Sequence, residues 1–393
     1  MKKEKIIFWE SLSHIAGGQR VLLNLLPFFV KDFSATVIIP ENGEFSHACK
    51  DIDADIVYIQ TGSYSLGKKT FSDVLSFIFR TPGIIFQGIR VCRGADIIYV
   101  NSTRVLPWAV IIGSILRIPI LWHSHILLSD KKTQALTRFF GSFPIVKRII
   151  AVSEVASRQF SEFEKKTEIV KNSVDIDKFQ PMKEILDSRS GAGMTEGEWG
   201  GNETMSVPQT IWRIGIVGDI VPQKGHSTLL KAASILQKQG KDFCISVIGK
   251  PRENSISYRE ELERESSNLL LQDKIEFLGQ LKDMQNIYSK FDLIVVSSLV
   301  PETCSLVICE TLACGVPVIG SRIGAIPELI SDGQTGYLFE AGNSEDLAEK
   351  IILFFSDSEK IRLMKKQCRQ YAEENFNLEE MYKRIKKIIQ EIS

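Results

Sequence analysis

Short, almost wholly apolar runs at 6–9, 35–39, 56–59, 97–100, 118–122 and 149–152 alternate with longer stretches that carry helical spacing or turn formers. Few folds accommodate that rhythm. A strand with one wet face shows a polar residue at every second position, whereas a run without alternation is buried on both faces. Such strands, separated by crossovers long enough for a helix, predict a parallel sheet covered by helices on both sides. The rhythm restarts at 212–217, 243–248, 275–278, 293–296 and 316–319, after a gap with no periodicity. The expectation is an α/β protein made of two doubly wound, Rossmann-like domains.

The gap sets the expected boundaries. Residues 181–210 include Ser188-Arg189-Ser190-Gly191-Ala192-Gly193 and Glu198-Trp199-Gly200-Gly201-Asn202, turn formers that read as a linker or exposed excursion. The first domain is then 1–180 and the second 211–370. From 358 onward the chain is dense in Lys and Glu, with Ile361, Met364, Tyr371, Met381, Ile385, Ile388 and Ile389 at helical spacing. One or two helices are expected there, with 371–393 packing back on the first domain. The apolar start at 6–9 is too short for a signal peptide. The longest apolar stretch, 106–122, is broken by Arg117 and Pro119 and falls short of the ~20 residues that a spanning helix needs. A cytoplasmic protein is expected, at most peripheral on the inner face of a membrane.

The 48 basic and 48 acidic side chains cancel, which argues against a surface built for nucleic acid. Their distribution is uneven. Between 61 and 150, Lys68, Lys69, Arg80, Arg90, Arg93, Arg104, Arg117, Lys131, Lys132, Arg138, Lys147 and Arg148 face only Asp73, Asp96 and Asp130. Phe71, Phe77, Ile78, Phe79, Ile84, Ile85 and Phe86 are interleaved with these cations. Either this is a solvated face that leans positive, or it meets a partner carrying phosphate or anionic lipid; for 61–150 a membrane-facing patch is the expectation. The seven cysteines, an odd number without a C-x-x-C pair, fit reduced thiols and neither a disulfide framework nor a zinc site.

Open parallel sheets bind ligands at the carboxyl ends of their strands, so the loops that follow strands come first. After the first run, Gly17-Gly18 opens a helix at Val21-Leu22-Leu23. Paired glycines let backbone N–H groups approach an anion at a helix amino end, or they simply make a tight connection. No G-x-G-x-x-G follows this run, which argues against a nicotinamide or flavin dehydrogenase. The run at 118–122 ends in His123 and His125, with no Cys, Asp or Glu at ligand spacing, so no metal is expected. His125 either donates a hydrogen bond to substrate or leaving group or is structural.

In the second half, Gly218 gives a tight exit and Lys224, just before Gly225, is either a cation over a phosphate or a plain surface lysine. The loop 297–317 places Glu302 ahead of a helix expected over 306–314, with Ser305 as its cap, Gly315 as its stop and Pro317 beyond. The amides of Thr303, Cys304, Ser305 and Leu306 form an anion-binding amino end. Glu310 lies inside this otherwise apolar helix, where a carboxylate is costly unless bonded; a pair of ligand hydroxyls is a suitable partner.

Glu302 and Glu310, seven residues between them, are followed by Ala313-Cys314-Gly315-Val316-Pro317-Val318-Ile319, Gly324-Ala325-Ile326-Pro327-Glu328-Leu329 and Gly333-Gln334-Thr335-Gly336-Tyr337-Leu338. This pattern resembles the retaining glycosyltransferases of the GT-B architecture, glycosyl transferases group 1 or family 4. The likeness spans most of the chain and is most specific over 292–339. Gly17-Gly18, the segment 119–125, Ala151-Val152-Ser153-Glu154, Asn172-Ser173-Val174-Asp175 and Lys224-Gly225 match in order.

The resemblance implies two Rossmann-like domains facing across a cleft. A UDP- or GDP-linked sugar would be held mainly by the second domain and a glycan or lipid-linked acceptor by the first. Glu310 would take the ribose hydroxyls, Glu302 those of the donor sugar, and Lys224 the diphosphate. The amides of Thr303 to Leu306, with Gly218, Gly17 and Gly18, would complete the phosphate cradle. His125 would lie near the donor sugar, and main chain around Phe277 and Leu278 would border the base. His125, Glu302 and Lys224 are thus the residues expected to act in catalysis.

One position departs from the family pattern. Relatives usually carry Arg directly after the glycine matched by Gly218, and here Asp219 stands there, an acid that would repel a departing diphosphate if it pointed inward. Either it turns away and Lys250, Arg252 or Arg322 supplies the cation, or turnover is weak. The implied activity is hexose transfer with retention from a nucleotide-diphosphate sugar to a hydroxyl, in surface polysaccharide or glycolipid synthesis. It needs neither metal nor other cofactor, because Lys224 and helix amino ends offset the leaving charge. The alternative is a non-catalytic nucleotide-sugar-binding subunit of another transferase.

Overall fold

In the computed structural model both rhythms become wholly parallel sheets. The structure describes residues 3–62, 71–128, 130–182, 211–252 and 255–393. Lys68 and Lys69 of the basic stretch, and 183–210 of the expected linker, lie outside them.

The first unit comprises Met1–Ser173 and Leu378–Ser393. Its strands are β1 (Lys5–Trp9), β2 (Ser34–Ile39), β3 (Asp55–Tyr58), β4 (Ile97–Val100), β5 (Ile120–Ser124), β6 (Val146–Ala151) and β7 (Thr167–Ile169), in the order β3-β2-β1-β4-β5-β6-β7. Helices α1 (Gly17–Asp32), α2 (Glu44–Lys50), α3 (Phe71–Cys92), α4 (Leu106–Leu116), α5 (Lys131–Gly141) and α6 (Glu154–Ser157) connect them. Ile7 pairs with Thr36 on one side and Ile98 on the other, and Ile6 to Trp9 are all fully buried, as a run without alternation requires. Helix α1 turns Val21, Leu22, Leu25, Leu26 and Phe29 onto this sheet, each contributing about 1.5–3 kcal/mol by burial.

The second unit, Val174–Asn377, contains β8 (Trp212–Val217), β9 (Phe243–Ile248), β10 (Ile275–Gly279), β11 (Leu293–Val296), β12 (Val318–Ser321) and β13 (Gly336–Phe339), ordered β10-β9-β8-β11-β12-β13. Its helices are α7 (His226–Lys238), α8 (Ile256–Asn268), α9 (Met284–Tyr288), α10 (Leu306–Ala313), α11 (Ile326–Leu329), α12 (Ser344–Phe355) and α13 (Ser358–Asn375). Arg369 on α13 donates through Nη1 to the carbonyls of Ile176, Phe179 and Ala313 at 2.9, 2.7 and 3.0 Å, tying the incoming chain to the end of α10.

Three details differ from the sequence reading. Strands β7 and β13 belong to no predicted run. The first is a half-buried edge whose central Glu168 pairs with Arg148 at 3.3 Å, so it shows no apolar signature. The second has four residues and begins at a glycine, too short a stretch for a period to show. The segment 371–393 is also divided: its first residues finish α13 in the second unit, and α14 (Leu378–Ile392) belongs to the first. There Tyr382 stacks on Phe28 with centroids 5.1 Å apart, and Asp32 accepts hydrogen bonds from Tyr382 Oη and from Lys386 Nζ at 2.7 Å. The Lys386 bond, then the Tyr382 bond, hold the Asp32 carboxyl below its ordinary range.

Candidate active site

Each sheet reverses its strand order once, between β1 and β4 in the first unit and between β8 and β11 in the second, which are the positions where doubly wound sheets take ligands.

In the second unit the chain leaves β8 through Gly218 and a single 3₁₀ turn, Pro222–Lys224. Gly225 follows at φ 69°, and a Cβ there would stand 1.9 Å from the Ser297 carbonyl oxygen, so only glycine admits this approach. Ser297 Oγ donates to the carbonyls of Lys224 and Gly225 at 3.0 and 2.9 Å, and Leu299 N–H donates to Gln223 O at 2.8 Å. The exits of β8 and β11 are therefore laced together. That lacing brings Lys224 Nζ within 2.7 Å of Glu302 Oε1, an oxygen that also accepts from Ser298 Oγ. Ala325 N–H holds the Glu302 carbonyl at 2.9 Å.

Helix α10 begins where expected, but Ser305, expected as its cap, makes no side-chain capping bond, so the amino end of the helix presents its backbone N–H groups. Glu310 is buried in the second turn, and Tyr288 O–H donates to its Oε2 at 2.7 Å. Behind the turn, burial first and the Lys224 charge second push the His226 imidazole down to about 4, so it stays neutral.

Asp219 is engaged. Arg252 Nε donates to its Oδ2 at 2.7 Å, while Arg322 pairs with Glu340 at 3.2 Å and Asp332 at 3.6 Å. Arg252, one of the three cations expected to replace the missing arginine over the diphosphate, is thus paired with the acid itself. Phe277 and Leu278 lie at the end of β10, separated from β8 by β9, and the Arg259 guanidinium covers the Phe277 ring at 4.0 Å.

In the first unit, Gly17 and Gly18 open α1 and His125 follows β5. A Cβ on Gly18 would meet His125 Cδ2 at 3.1 Å, so the turn and the ring are in close approach. His125 Nε2 is 2.9 Å from Asn101 Oδ1, and the His123 ring lies 4.0 Å away, its Nδ1 2.6 Å from Tyr99 Oη. Burial pushes His125 down to about 3, and His123 lower than its ordinary value, so both rings are neutral at pH 7. Glu10, fully buried after β1, is pushed up by that burial; bonds from Asn101, Ser11 and Gln19 oppose the shift.

Glu10, Asn101, Ser298 and Tyr288 were not singled out from sequence. A signal existed for the first three, since each follows an apolar strand directly or by one residue. Tyr288 had none: it lies 22 positions before Glu310, and only the packing of α9 on α10 joins them.

Comparison with known proteins identifies the second unit. Residues 206–375 match the family model for glycosyl transferases group 1. The second unit is a glycosyl transferases group 1 domain. Lys224, Glu302 and Glu310 all lie within the matched span of this group 1 domain. The chain is 38% identical over 114 residues to N-acetyl-alpha-D-glucosaminyl L-malate synthase of Bacillus anthracis, covering 29% of this chain and 30% of that protein. It is 28% identical over 210 residues to D-inositol 3-phosphate glycosyltransferase of Mycolicibacterium smegmatis, covering 52% and 44%. These matches span under half the length of the curated relatives. Over nearly the whole chain, the fold is that of Anabaena Alr3699/HepE in its crystal structure with UDP and glucose: TM-score 0.80 at 20% identity, covering 98% of this chain and 99% of that one. The architecture is GT-B.

Proposed function

We propose that this chain is a retaining hexosyltransferase that moves a sugar from a nucleotide diphosphate to a hydroxyl of a glycan or lipid-linked acceptor, in surface polysaccharide or glycolipid synthesis. The observation that carries the reading is Lys224 held 2.7 Å from Glu302 at the β8/β11 switch point, with Glu310 in α10, the helix that follows the Glu302 loop. Lys224 and the amino end of α10 offset the charge that develops on the diphosphate, so no metal is required. Glu302 orients the donor sugar and Glu310 the ribose. The sugar C1–O bond to the diphosphate breaks while a bond to the acceptor oxygen forms on the same face, and the acceptor proton passes to the leaving phosphate. The pairing of Asp219 with Arg252 offsets the charge of that acid, which supports the reading. The UDP and glucose in the HepE structure favour UDP over GDP.

Calorimetric titration with UDP and GDP tests the donor site. UDP is expected to bind, and Glu310→Ala to weaken it about tenfold to a hundredfold, the worth of hydrogen bonds to a charged group. Binding of neither nucleotide by the folded protein would overturn the assignment.

We also place the protein on the inner face of a membrane, as a peripheral cytoplasmic enzyme. Among the described residues no helix is long and apolar enough to cross a bilayer. Helix α4 packs between α3 and α5, with Phe77 stacked on Trp108 at 4.8 Å. This layer exposes Phe79 (79%), Phe86 (64%) and Phe139 (59%) beside exposed Arg80, Arg90, Lys131 and Lys132. Of the acids in 61–150 whose side chains are described, Asp96 accepts from Lys5 N–H, and Asp130 from Lys132 and Thr133 N–H. Apolar rings among cations suit an anionic bilayer. The protein should sediment with phosphatidylglycerol vesicles and not with phosphatidylcholine, and Phe79→Ser/Phe86→Ser should weaken binding by about tenfold or more. Equal sedimentation with both lipids, or with neither, would remove this part of the reading.

A further inference from the structure

Glu10 is a fully buried acid to which the roles above assign nothing. Both of its oxygens act as acceptors, Oε1 from Ser11 N–H at 2.6 Å and Oε2 from Asn101 Nδ2 at 2.7 Å. The second contact bridges the switch point of the first sheet, because Glu10 follows β1 and Asn101 follows the adjacent β4. Asn101 Nδ2 also donates to the Gly18 carbonyl at 3.3 Å. A carboxamide has one donor end and one acceptor end. With the donor end committed to Glu10 and Gly18, the atom facing His125 Nε2 at 2.9 Å is Oδ1, which can only accept. Nε2 must therefore carry a hydrogen, and in a neutral ring Nδ1 carries none.

We propose that Glu10 is a positioning residue: acting through Asn101, it selects the Nε2–H tautomer of His125 and holds the Gly17–Gly18 turn against that ring. The consequence for recognition is a change of polarity. In this tautomer the buried Nδ1 is an acceptor, suited to a ligand hydroxyl that reaches it and unsuited to a phosphate oxygen, instead of the donor expected from sequence. That ligand assignment rests on the function proposed above; the tautomer does not.

The two can be tested apart by long-range proton–nitrogen NMR of the full chain labelled at histidine nitrogen, without ligand, with His125 assigned through the loss of its signals in His125→Gln. The wild type should show one neutral Nε2–H pattern for His125. In Glu10→Gln an amide NH2 must face either Ser11 N–H or Asn101 Nδ2, both donors, so the Asn101 amide loses its fixed orientation and the single pattern should be lost. Asn101→Ala should lose it as well, with the Glu10 side chain intact. A Nδ1–H or doubly protonated His125 in the wild type would overturn the inference, even if neither variant folds. So would a His125 pattern unchanged in both folded variants. Failure of nucleotide binding would sink the donor site in the second unit and leave the tautomer result untouched.

Discussion

Lys224→Ala should reduce release of UDP from UDP-glucose, with water standing in as acceptor, by about 10²–10³-fold, the usual effect of deleting one preorganised group that stabilises developing negative charge. The geometry gives the reason. Lys224 ends the turn, its carbonyl and that of Gly225 are gripped by Ser297 Oγ, and its Nζ is located by Glu302 Oε1, so the cation is in place before the leaving group develops charge. Lys224→Arg should recover part of the loss, because the charge remains while the planar group fits the 2.7 Å contact poorly. Folding should be little affected, since a partly exposed ion pair contributes roughly 0–1 kcal/mol. Circular dichroism and a melting curve separate the two effects. Wild-type turnover in a folded Lys224→Ala protein would remove Lys224 from the catalytic assignment.

Gly225→Ala should have the opposite signature, a large loss of stability. The residue sits at φ 69°, and the added Cβ would meet the Ser297 carbonyl oxygen at 1.9 Å. The left-handed conformation alone costs about 1–2 kcal/mol for a residue with a side chain. Relief of the clash requires parting the β8 turn from the β11 exit and breaking the Ser297 bonds. A total of about 3 kcal/mol or more is expected, enough to lower the melting temperature of this unit by roughly 6–12 °C. Gly17→Ala is the control: a Cβ there meets nothing within 4 Å, and its melting temperature should match the wild type. Equal melting of Gly225→Ala and wild type would mean that the turn is not held as described.

Much of the fold was legible because burial writes itself into residue type. Ile6 to Trp9 and Leu293 to Val296 are apolar throughout because both faces of each strand are covered, and that signal survives without any knowledge of neighbours. The same logic failed for β7, an edge strand with a half-wet surface, and for β13, whose four residues offer too little pattern. In the group 1 domain, Lys224, Glu302 and Glu310 were legible as residue types in strand-end loops. Ser298 was legible only as a strand-end residue, and Tyr288, the partner of Glu310, not at all, since a hydrogen bond between side chains leaves no periodic trace.

The sequence by itself determined that two parallel sheets form, where eleven of their thirteen described strands run, and which loops stand at the carboxyl ends of those strands, because these follow from local apolar pattern and chain reach. Only the tertiary structure decided that Arg252 neutralises Asp219, that Glu302 locates Lys224, and that Glu10 and Asn101 set the donor and acceptor ends of His125. Each of these is a contact between atoms about 3 Å apart on residues 24 to 91 positions distant. Such contacts depend on how strand ends are brought side by side, and that order belongs to the folded sheet rather than to any stretch of chain.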